Sequence, residues 1–337
     1  MPFKVYAISI FSAKSGAGNK DKTTKNLIKP AMAEYARIEF RSSPPLFSKK
    51  MNIANDAGEL VKDIGGLVTL PDVYLRINQL VEDPQSRIED IAKVISQDPS
   101  FTVRLLRVAN SALYGRSSTV DTVPKAVAMI GFSQIRNLAL SMSAASSFAG
   151  LPNDLVSMRN FWRHSLLCAL ASRHLAKTAR RCDPDALFTA GLLHDIGELV
   201  IFNRLPQQAH DALLMVLDSQ DELPIYQAER RVIGFDHSAV GGELARLWKL
   251  PVLLEECIAH HHDIANTRHY PRETALVHIA NIVALMAELD TLDLTDVPPI
   301  DPLAWTITGL DEEVVTEVAR GAQAEFGEAE KLFLDAL

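Results

Sequence analysis

The chain has 337 residues, 47% of them hydrophobic, and a formal net charge of −8 at pH 7. No uninterrupted apolar run approaches the roughly 18 residues that would span a bilayer, which excludes an integral membrane protein. The acidic body of the chain excludes a general nucleic-acid-binding protein, because phosphate contacts need Lys and Arg clustered on one face. The three cysteines form no CxxC pair, which favours a reducing compartment. The sequence therefore predicts a soluble, cytoplasmic protein with no nucleic acid and no membrane among its partners.

Residues 1–50 differ from the rest of the chain in charge. They contain ten Lys and Arg against three Asp and Glu, a net +7, which leaves −15 on the remaining 287 residues. They are rich in Lys, Ser, Thr and Gly without a sustained period, so we predict that residues 1–55 form a poorly ordered basic extension. The apolar run Val5 to Phe11 is too short to be read as a signal peptide. Because Met51 opens the acidic body, the sequence leaves open whether residues 1–50 belong to the natural protein.

From residue 56 onward, apolar residues recur three and four positions apart, and the flanking residues are those of helix ends. In SQDPSFTVRLLRVANSALYG, Asp98 is a natural N-cap, Pro99 a natural first-turn residue and Gly115 a terminator. Similar signals predict helices from Asp121 or Thr122 with Pro124 to Gly131, from Asp183 with Pro184 to Gly197, from Pro251 through His262, and from Thr274 through Glu288. Strand alternation is nearly absent. The sequence predicts an all-α protein of about a dozen helices in one compact body.

The end of the chain is predicted to contain a loop followed by helices. The acidic stretch LDTLDLTDVPPIDP, residues 289–302, carries the composition of a loop. A last helical region follows it. We predict that this region breaks near Gly309 and Gly321, because glycine weakens the interior of a helix.

The residues with distinctive chemistry are histidines. His194 and Asp195 are adjacent in the apolar stretch LLHDIGEL, where a charged pair needs a buried partner or a metal ion to offset its desolvation. Neighbours on a helix point about 100° apart, but both can reach one ion if the helix lies at the edge of a cleft. Further imidazoles come from His164, His237 and the run His260, His261 and His262. Imidazole and carboxylate ligands together suit iron, manganese or zinc better than magnesium.

These histidines also have an interpretation without a metal. A histidine in an apolar helix, such as His164, is commonly a core residue whose ring binds a backbone carbonyl group. The run of three histidines is also typical of a polar helix end, where imidazolium is favoured by the C-terminal dipole. Spacing alone therefore leaves metal binding and a hydrogen-bonded core as open alternatives.

Seven segments of the chain follow one another in a characteristic order. They are LPDVYLRINQLVEDP, IAKVISQDPSFTVRLLRVANSALYG, VPKAVAMIGFSQIRNLAL, FWRHSLLCALASRHLA, FTAGLLHDIGELVI, GFDHSAVGGELARLWKLP and IAHHH. In order and spacing they resemble the HDOD family, which is related to the HD phosphohydrolases and to the HD-GYP phosphodiesterases of cyclic di-GMP. The resemblance covers residues 57 to about 290.

The resemblance implies an all-α, two-lobed HDOD domain over residues 56–290. An N-terminal helical lobe, about residues 60–150, would pack on an HD-like helical lobe, about residues 151–290. Residues 291–337 would add C-terminal helices packed on the HD-like lobe.

The resemblance also implies a set of metal ligands. The ligands of the HD parent correspond to His164, His194, Asp195 and Asn281, and the bridging histidines of its two-metal relatives to His237, His261 and His262. Asn281 is a departure, because the HD parent has an aspartate there. An amide in place of a carboxylate removes one negative charge, so a divalent ion is expected to bind less tightly.

A second departure lies after the paired histidines. They are followed by DIANTRHYP, which ends in Tyr270-Pro271 at the spacing of the Gly-rich Tyr-Pro motif of the HD-GYP relatives. The glycines of that motif fall here on Thr267 and His269, whose side chains obstruct a positive φ and the close approach of a ligand. The sequence therefore disfavours hydrolysis of cyclic di-GMP.

Three hypotheses about function follow. The first, implied by the resemblance, is a non-catalytic bacterial signal-transduction module that acts through contacts with signalling proteins of unknown identity. The second is a residual metal-dependent phosphohydrolase of a nucleotide or phosphate ester, with iron, manganese or zinc as its ion. The third is a structural interaction protein whose histidines are ordinary core or surface residues. The sequence favours the first, assigns no catalytic residue and does not predict the partner or the oligomeric state.

Overall fold

The computed structural model describes residues 56–64, 68–111, 119–148, 157–219 and 223–333, and every regular element within these ranges is helical. The predicted all-α fold is therefore confirmed. The predicted extension, residues 1–55, and the predicted helix terminator Gly115 lie outside the described residues. The first helices are α1 (Ala57–Ile64), α2 (Asp72–Glu82), α3 (Ile88–Ser96), α4 (Pro99–Ala109), α5 (Val123–Ile130) and α6 (Phe132–Phe148).

The second half of the chain contributes the remaining α-helices. They are α7 (Met158–Ala179), α8 (Pro184–Leu193), α9 (Ile196–Arg204), α10 (Pro206–Asp218), α11 (Ile225–Val232), α12 (His237–Leu247), α13 (Val252–His260), α14 (Pro271–Leu289), α15 (Pro302–Thr308) and α16 (Glu312–Phe333). Short 3-10 turns occupy Ile264–Asn266 and Leu294–Asp296, the second inside the predicted acidic loop. None of the helices in the described ranges combines the length and the apolar character needed to cross a bilayer.

Several helices begin at the predicted capping residues. The side chain of Asp98 accepts a hydrogen bond from the N–H of Phe101 at 2.9 Å, which satisfies one of the unpaired donors at the start of α4. Asp183 does the same for α8 by accepting from the N–H of Asp185 at 2.9 Å. Thr122, in contrast, precedes α5 without a side-chain hydrogen bond.

The predicted continuous helix from Asp183 to Gly197 is wrong. Helix α8 ends at Leu193, His194 and Asp195 form a turn, and α9 begins at Ile196. Gly197 therefore lies in the first turn of α9 and terminates nothing. The periodicity of the apolar residues continues through the turn, so the sequence gives no sign of the interruption.

Two other predicted helices have shifted ends. Helix α13 ends at His260, so His261 and His262 follow the helix instead of belonging to it. Helix α14 begins at Pro271, which occupies the favoured first position, and not at Thr274.

The predicted break near Gly321 is wrong, whereas the one near Gly309 is confirmed. Gly309 ends α15 with a φ of 68°, a backbone conformation that favours glycine. Helix α16 continues through Gly321, where a β-carbon would lie 3.1 Å from the ring of His174. Glycine at this position therefore serves close packing between α16 and α7.

Helix α7 lies at the centre of the second half. It packs against α8, α14 and α16, and its buried residues extend from Phe161 to Ala176. Helix α6 packs against α8, and α1 packs against α12 and α9, so the two halves are in contact at both places. One cluster of buried hydrophobic side chains includes residues of both halves. The boundaries between the two lobes stay a prediction.

Ion pairs join α16 to α7. The guanidinium of Arg173 lies 2.7 Å from the carboxylate of Glu325. Closer to the end of α16, Glu330 pairs with Arg163 at 2.5 Å and with Arg159 at 2.8 Å. Helix α16 is thus fixed along the helix that carries His164.

Candidate metal centre

The structure brings all seven predicted site residues into one cluster. They come from α7 (His164), the turn between α8 and α9 (His194 and Asp195), the start of α12 (His237), the turn after α13 (His261 and His262) and α14 (Asn281). All are buried except His262, which is half-buried. His260, the first histidine of the run of three, belongs to none of the groups of ligand atoms in the cluster. Metal binding by these residues stays a prediction.

The turn between α8 and α9 explains how adjacent residues contribute to one site. Asp195 has φ −97° and ψ 12°, which leaves the helical conformation between the two helices. Beside it, a β-carbon on Gly197 would lie 2.6 Å from the backbone nitrogen of Gly241, so only glycine permits this crossing of α9 and α12. This close crossing places Asp195 beside His237, the first residue of α12.

We call His164, His194 and Asp195 the first half-site. One ligand atom from each lies within 4.8 Å of the other two. Oδ2 of Asp195 is 3.0 Å from Nε2 of His194 and 3.6 Å from Nε2 of His164. Asn281 completes this group, since its Oδ1 is 3.1 Å from Nε2 of His164.

We call Asp195, His237, His261 and His262 the second half-site. Their ligand atoms also lie within 4.8 Å of one another. Oδ1 of Asp195 is 3.4 Å from Nε2 of His237 and 3.4 Å from Nε2 of His261. Nε2 of His262 is 3.1 Å from Nε2 of His237. Asp195 therefore directs one carboxylate oxygen to each half-site.

Hydrogen bonds behind three of the rings orient them toward Asp195. Nδ1 of His194 donates to the carbonyl oxygen of Gly191 at 2.8 Å, and Nδ1 of His261 donates to that of Ile258 at 2.9 Å. Nδ1 of His237 lies 2.7 Å from a carboxylate oxygen of Glu229. Because Nδ1 is engaged in each ring, Nε2 is the nitrogen left to bind an ion.

Two buried nitrogen atoms indicate that the cluster fits a cation. Nε2 of His194 and Nε2 of His261 lie 3.0 Å and 3.4 Å from the carboxylate of Asp195, but neither makes a hydrogen bond of good geometry within the described part of the chain. Buried polar atoms are normally satisfied, so two such atoms close to one carboxylate need a partner. Three imidazoles and a carboxylate are a donor set that zinc, iron or manganese accepts.

The imidazoles keep Asp195 ionised. Burial alone would raise the pKa of its carboxyl group, but the neighbouring His194, His237 and His261 hold that pKa well below its usual range. The nearby Glu198 behaves in the opposite way, since burial raises its pKa well above the usual range and the negative charge of Asp195 adds to this effect. The two buried carboxyl groups of the cluster therefore have pKa values that are shifted in opposite directions.

The environment of His164 favours positive charge. Burial alone would lower the pKa of this ring, but Glu288, Asp195 and Glu198 together raise it to about 9. Glu288 is the strongest of these, with Oε1 located 3.1 Å from Nδ1 of His164. The same electrostatic potential that favours a proton here favours any other cation.

Sequence reasoning missed Glu288 and Glu229, the two carboxylates behind ligand histidines. Glu288 follows Asn281 by seven residues on α14, which places both on one face of the helix, and this spacing was available as a signal. Glu229 lies on α11, and nothing in its spacing predicts its contact with His237.

His278 was also missed. Its Nδ1 donates to the carbonyl oxygen of His261 at 2.8 Å, and its Nε2 accepts from the N–H of Asp301 at 3.1 Å. It thereby connects the turn after α13, which carries two candidate ligand histidines, to the start of α15.

The outer side of the cluster is covered by an aromatic ring. Tyr226 stacks on the ring of His262, with centroids 4.3 Å apart and planes 14° from parallel. The guanidinium of Arg230 lies 5.1 Å from the centroid of the Tyr226 ring and pairs with Asp236 at 2.6 Å. The half-buried His262 is thus the ligand closest to the surface.

The segment that ends in Tyr270-Pro271 forms the start of α14. The carboxylate of Glu256 accepts hydrogen bonds from the backbone N–H groups of Arg268 at 3.2 Å, His269 at 2.9 Å and Tyr270 at 2.8 Å. Within the described residues this segment therefore has a structural role as a capped helix start.

Comparisons with known proteins support one family. The sequence profile described as HDOD domain matches residues 67–264. Among curated proteins, the chain is similar to an uncharacterised protein of Treponema pallidum (strain Nichols), with 26% identity over 218 residues, which make up 64% of this chain and 41% of that protein. The chain thus spans less than half the length of that relative.

Solved structures with a similar fold carry different descriptions. An HDOD domain protein of unknown function from Geobacter sulfurreducens matches 82% of this chain and 98% of its own, with 26% identity and a TM-score of 0.65. A protein of Shewanella amazonensis SB2B, named provisionally as a phosphohydrolase, matches 82% and 98% with 24% identity and a TM-score of 0.64. A protein of Marinobacter aquaeolei VT8, named provisionally as a signal transduction protein, matches 95% and 67% with 19% identity and a TM-score of 0.62. The last two show likeness of fold alone.

Proposed function

The chain belongs to the HDOD domain family, and we propose that it is a non-catalytic regulatory module whose buried histidine cluster binds a divalent transition-metal ion. Its output is contact with another signalling protein. The relative from Marinobacter aquaeolei, named provisionally for signal transduction, agrees with this role.

The burial of the ligand side chains carries the proposal. Within the cluster, His164, His194, Asp195, His237 and His261 are each no more than 2% exposed. A phosphoryl group has to reach both the ion and the attacking water during metal-assisted hydrolysis. Ligands this deeply enclosed favour an ion that is held for structure.

The ion would supply a fixed positive charge at the junction of several helices. Its ligands come from α7, the turn before α9, the start of α12 and the turn after α13, so binding favours the packing in which these elements converge. A ligand that binds one arrangement better than another shifts the population toward it. Ion binding could in this way be transmitted to a surface that contacts a partner protein.

Metal analysis tests whether the protein binds an ion, and a hydrolysis assay tests whether it lacks catalytic activity. Purified protein should contain zinc, iron or manganese by mass spectrometry of the elements, and His194→Ala should remove it. His260→Ala is the matched control, because His260 lies beside the cluster without belonging to a ligand group. Neither protein should hydrolyse bis(4-nitrophenyl) phosphate with Mn²⁺ present. Turnover that is lost in His194→Ala would replace this proposal by an enzymatic one.

Partner contact is tested with the same variants. The wild-type chain, His194→Ala and His260→Ala are each used to purify cross-linked partners from the native cell. We expect the wild type and His260→Ala to retain a shared partner that His194→Ala loses. Identical partners for all three would contradict the connection between the cluster and the output.

One observation favours a second candidate, a metal-dependent phosphohydrolase. Asp195 directs Oδ2 to the first half-site and Oδ1 to the second, as a bridging carboxylate does between two ions. The relative from Shewanella amazonensis is named provisionally as a phosphohydrolase. If this candidate is correct, Asn281→Asp should increase hydrolysis of the phosphodiester, whereas the regulatory proposal expects none in either form.

A further inference from the structure

We propose that Glu288 is a positioning residue that supplies the first half-site with a negative charge, because Asn281 supplies none. The inference rests on the proposed metal binding and names the residue that makes the first half-site competent for an ion. Asn281 offers an amide oxygen to the half-site, and an amide is a weaker ligand for a divalent cation than a carboxylate.

The geometry places Glu288 directly behind a ligand. Its Oε1 lies 3.1 Å from Nδ1 of His164, and the Glu288 side chain is only 12% exposed. On the opposite side of the same ring, Nε2 is 3.1 Å from Oδ1 of Asn281 and 3.6 Å from Oδ2 of Asp195. The imidazole therefore stands between the Glu288 carboxylate and the position where an ion would be held.

A carboxylate in this position acts on the ion through the ring. By accepting the Nδ1–H it fixes the orientation of the ring and makes Nε2 a more basic ligand. Its charge also acts across the ring, because buried charges are screened less than exposed ones. Both effects raise the affinity for a cation without a direct bond between Glu288 and the ion.

The second half-site also has a carboxylate behind one of its histidines. There, Oε2 of Glu229 lies 2.7 Å from Nδ1 of His237. The remaining inner histidines, His194 and His261, instead direct Nδ1 to backbone carbonyl oxygens. Each half-site thus combines the shared Asp195 with one histidine supported by a carboxylate, which makes the two more alike than Asn281 alone would suggest.

The position of Glu288 on α14 is consistent with a negative charge that is supplied from position 288 instead of position 281. It lies seven residues after Asn281, two helical turns along the same face. A carboxylate at position 281 would contact the ion directly. Glu288 provides the charge from behind His164, on the same helix.

Calorimetric titration of the full chain with Mn²⁺ tests the inference. The metal-free wild type is compared with Glu288→Gln, with Asn281→Asp and with the double variant. Glu273→Gln is the matched control, because Glu273 lies in the first turn of the same helix, next to Cys182. Thermal unfolding of each metal-free protein shows that the variants are folded.

We expect the wild type and the control to bind Mn²⁺ in the first half-site. Glu288→Gln should weaken this site about 10- to 100-fold, which is the usual effect of losing a carboxylate behind a ligand histidine. Adding Asn281→Asp to Glu288→Gln should restore that site, an effect that a merely structural role of Glu288 does not produce.

Two results would overturn the inference while leaving the proposed function intact. One is unchanged affinity for every bound Mn²⁺ in Glu288→Gln. The other is a site weakened in Glu288→Gln that Asn281→Asp does not restore. A wild type that binds no ion would refute the proposed function as well.

Discussion

The backbone of Gly197 lies against the backbone of His237, so closely that a β-carbon on Gly197 would stand 2.0 Å from the His237 carbonyl oxygen. This contact sets the distance between α9 and α12. We predict that Gly197→Ala costs about 1–3 kcal/mol of unfolding free energy, because an added methyl group forces two helices apart. The same variant should lose metal binding in the second half-site, since Asp195 and His237 no longer converge.

Gly327 provides the control for this prediction. It lies in α16, and no atom stands within 4 Å of the place that a β-carbon would take there. Gly327→Ala should therefore be neutral or stabilising by about 0.5–1 kcal/mol. Urea unfolding measures both variants. Equal effects of the two substitutions would show that the crossing at Gly197 is not tight.

The carboxylate of Glu256 should make stability depend on acid pH. Burial would raise its pKa, but the backbone N–H groups of His269, Tyr270 and Arg268 lower it below the ordinary value of 4.5. A folded-state pKa below the unfolded value means that the stabilisation is complete above pH 4.5 and is lost as the pH falls through the folded value. Glu256→Gln should therefore cost about 1.5–3 kcal/mol at neutral pH and less at acid pH.

The neighbouring Glu255 serves as the control for Glu256. Its carboxylate pairs with Arg246 at 2.7 Å near the surface, where Arg246 is 49% exposed. Glu255→Gln should change the unfolding free energy by about 1 kcal/mol or less. Unfolding in urea at neutral and acid pH gives both values, and a Glu256→Gln cost that does not shrink in acid would contradict the prediction.

Metal ions should stabilise the folded protein. An ion present at 100 times its dissociation constant adds about 2.7 kcal/mol if it binds only the folded state. We expect added Zn²⁺ or Mn²⁺ to raise the melting temperature of the wild type and of His260→Ala, but not of His261→Ala. Scanning calorimetry with and without a chelator measures the effect. Melting that is the same with and without ions would exclude binding by the cluster.

The ion pairs that Glu325 and Glu330 of α16 make with α7 should differ in strength. Arg173 is only 6% exposed, so Glu325→Gln leaves a buried guanidinium without its carboxylate and should cost about 1.5–3 kcal/mol. Glu330→Gln removes pairs with Arg159 and Arg163, whose side chains are 57% and 40% exposed, and should cost about 1 kcal/mol or less. Equal losses in urea unfolding would mean that burial does not decide the strength of these pairs.

The sequence predicted the all-helical fold because apolar spacing and capping residues are local signals. Asp98 and Asp183 cap the helices that they were predicted to cap, since a side-chain oxygen two or three residues before an N–H group needs no tertiary contact. The turn at His194 and Asp195 was missed because it depends on the contact of α9 with α12. Gly321 was misread for the same reason, as its role becomes apparent only beside His174.

Part of the candidate site could likewise be predicted from the sequence. The histidines and Asp195 stand out in the sequence because a charged pair in an apolar stretch is unusual. Glu229 and Glu288 do not stand out, because a glutamate is rarely buried and is expected to face solvent. Only the folded chain shows that these two are turned inward and contact histidines that are distant in sequence.

The sharing of Asp195 means that two cations could not bind independently. A cation held in one half-site would repel a second cation in the other, and it would also order the Asp195 carboxylate that both half-sites share. Whichever effect is larger, the change in affinity is reciprocal, because each ion must alter the other's affinity by the same factor. The occupancy of the two half-sites would then change with ion concentration either steeply, over a narrow range, or gradually, over a broad range.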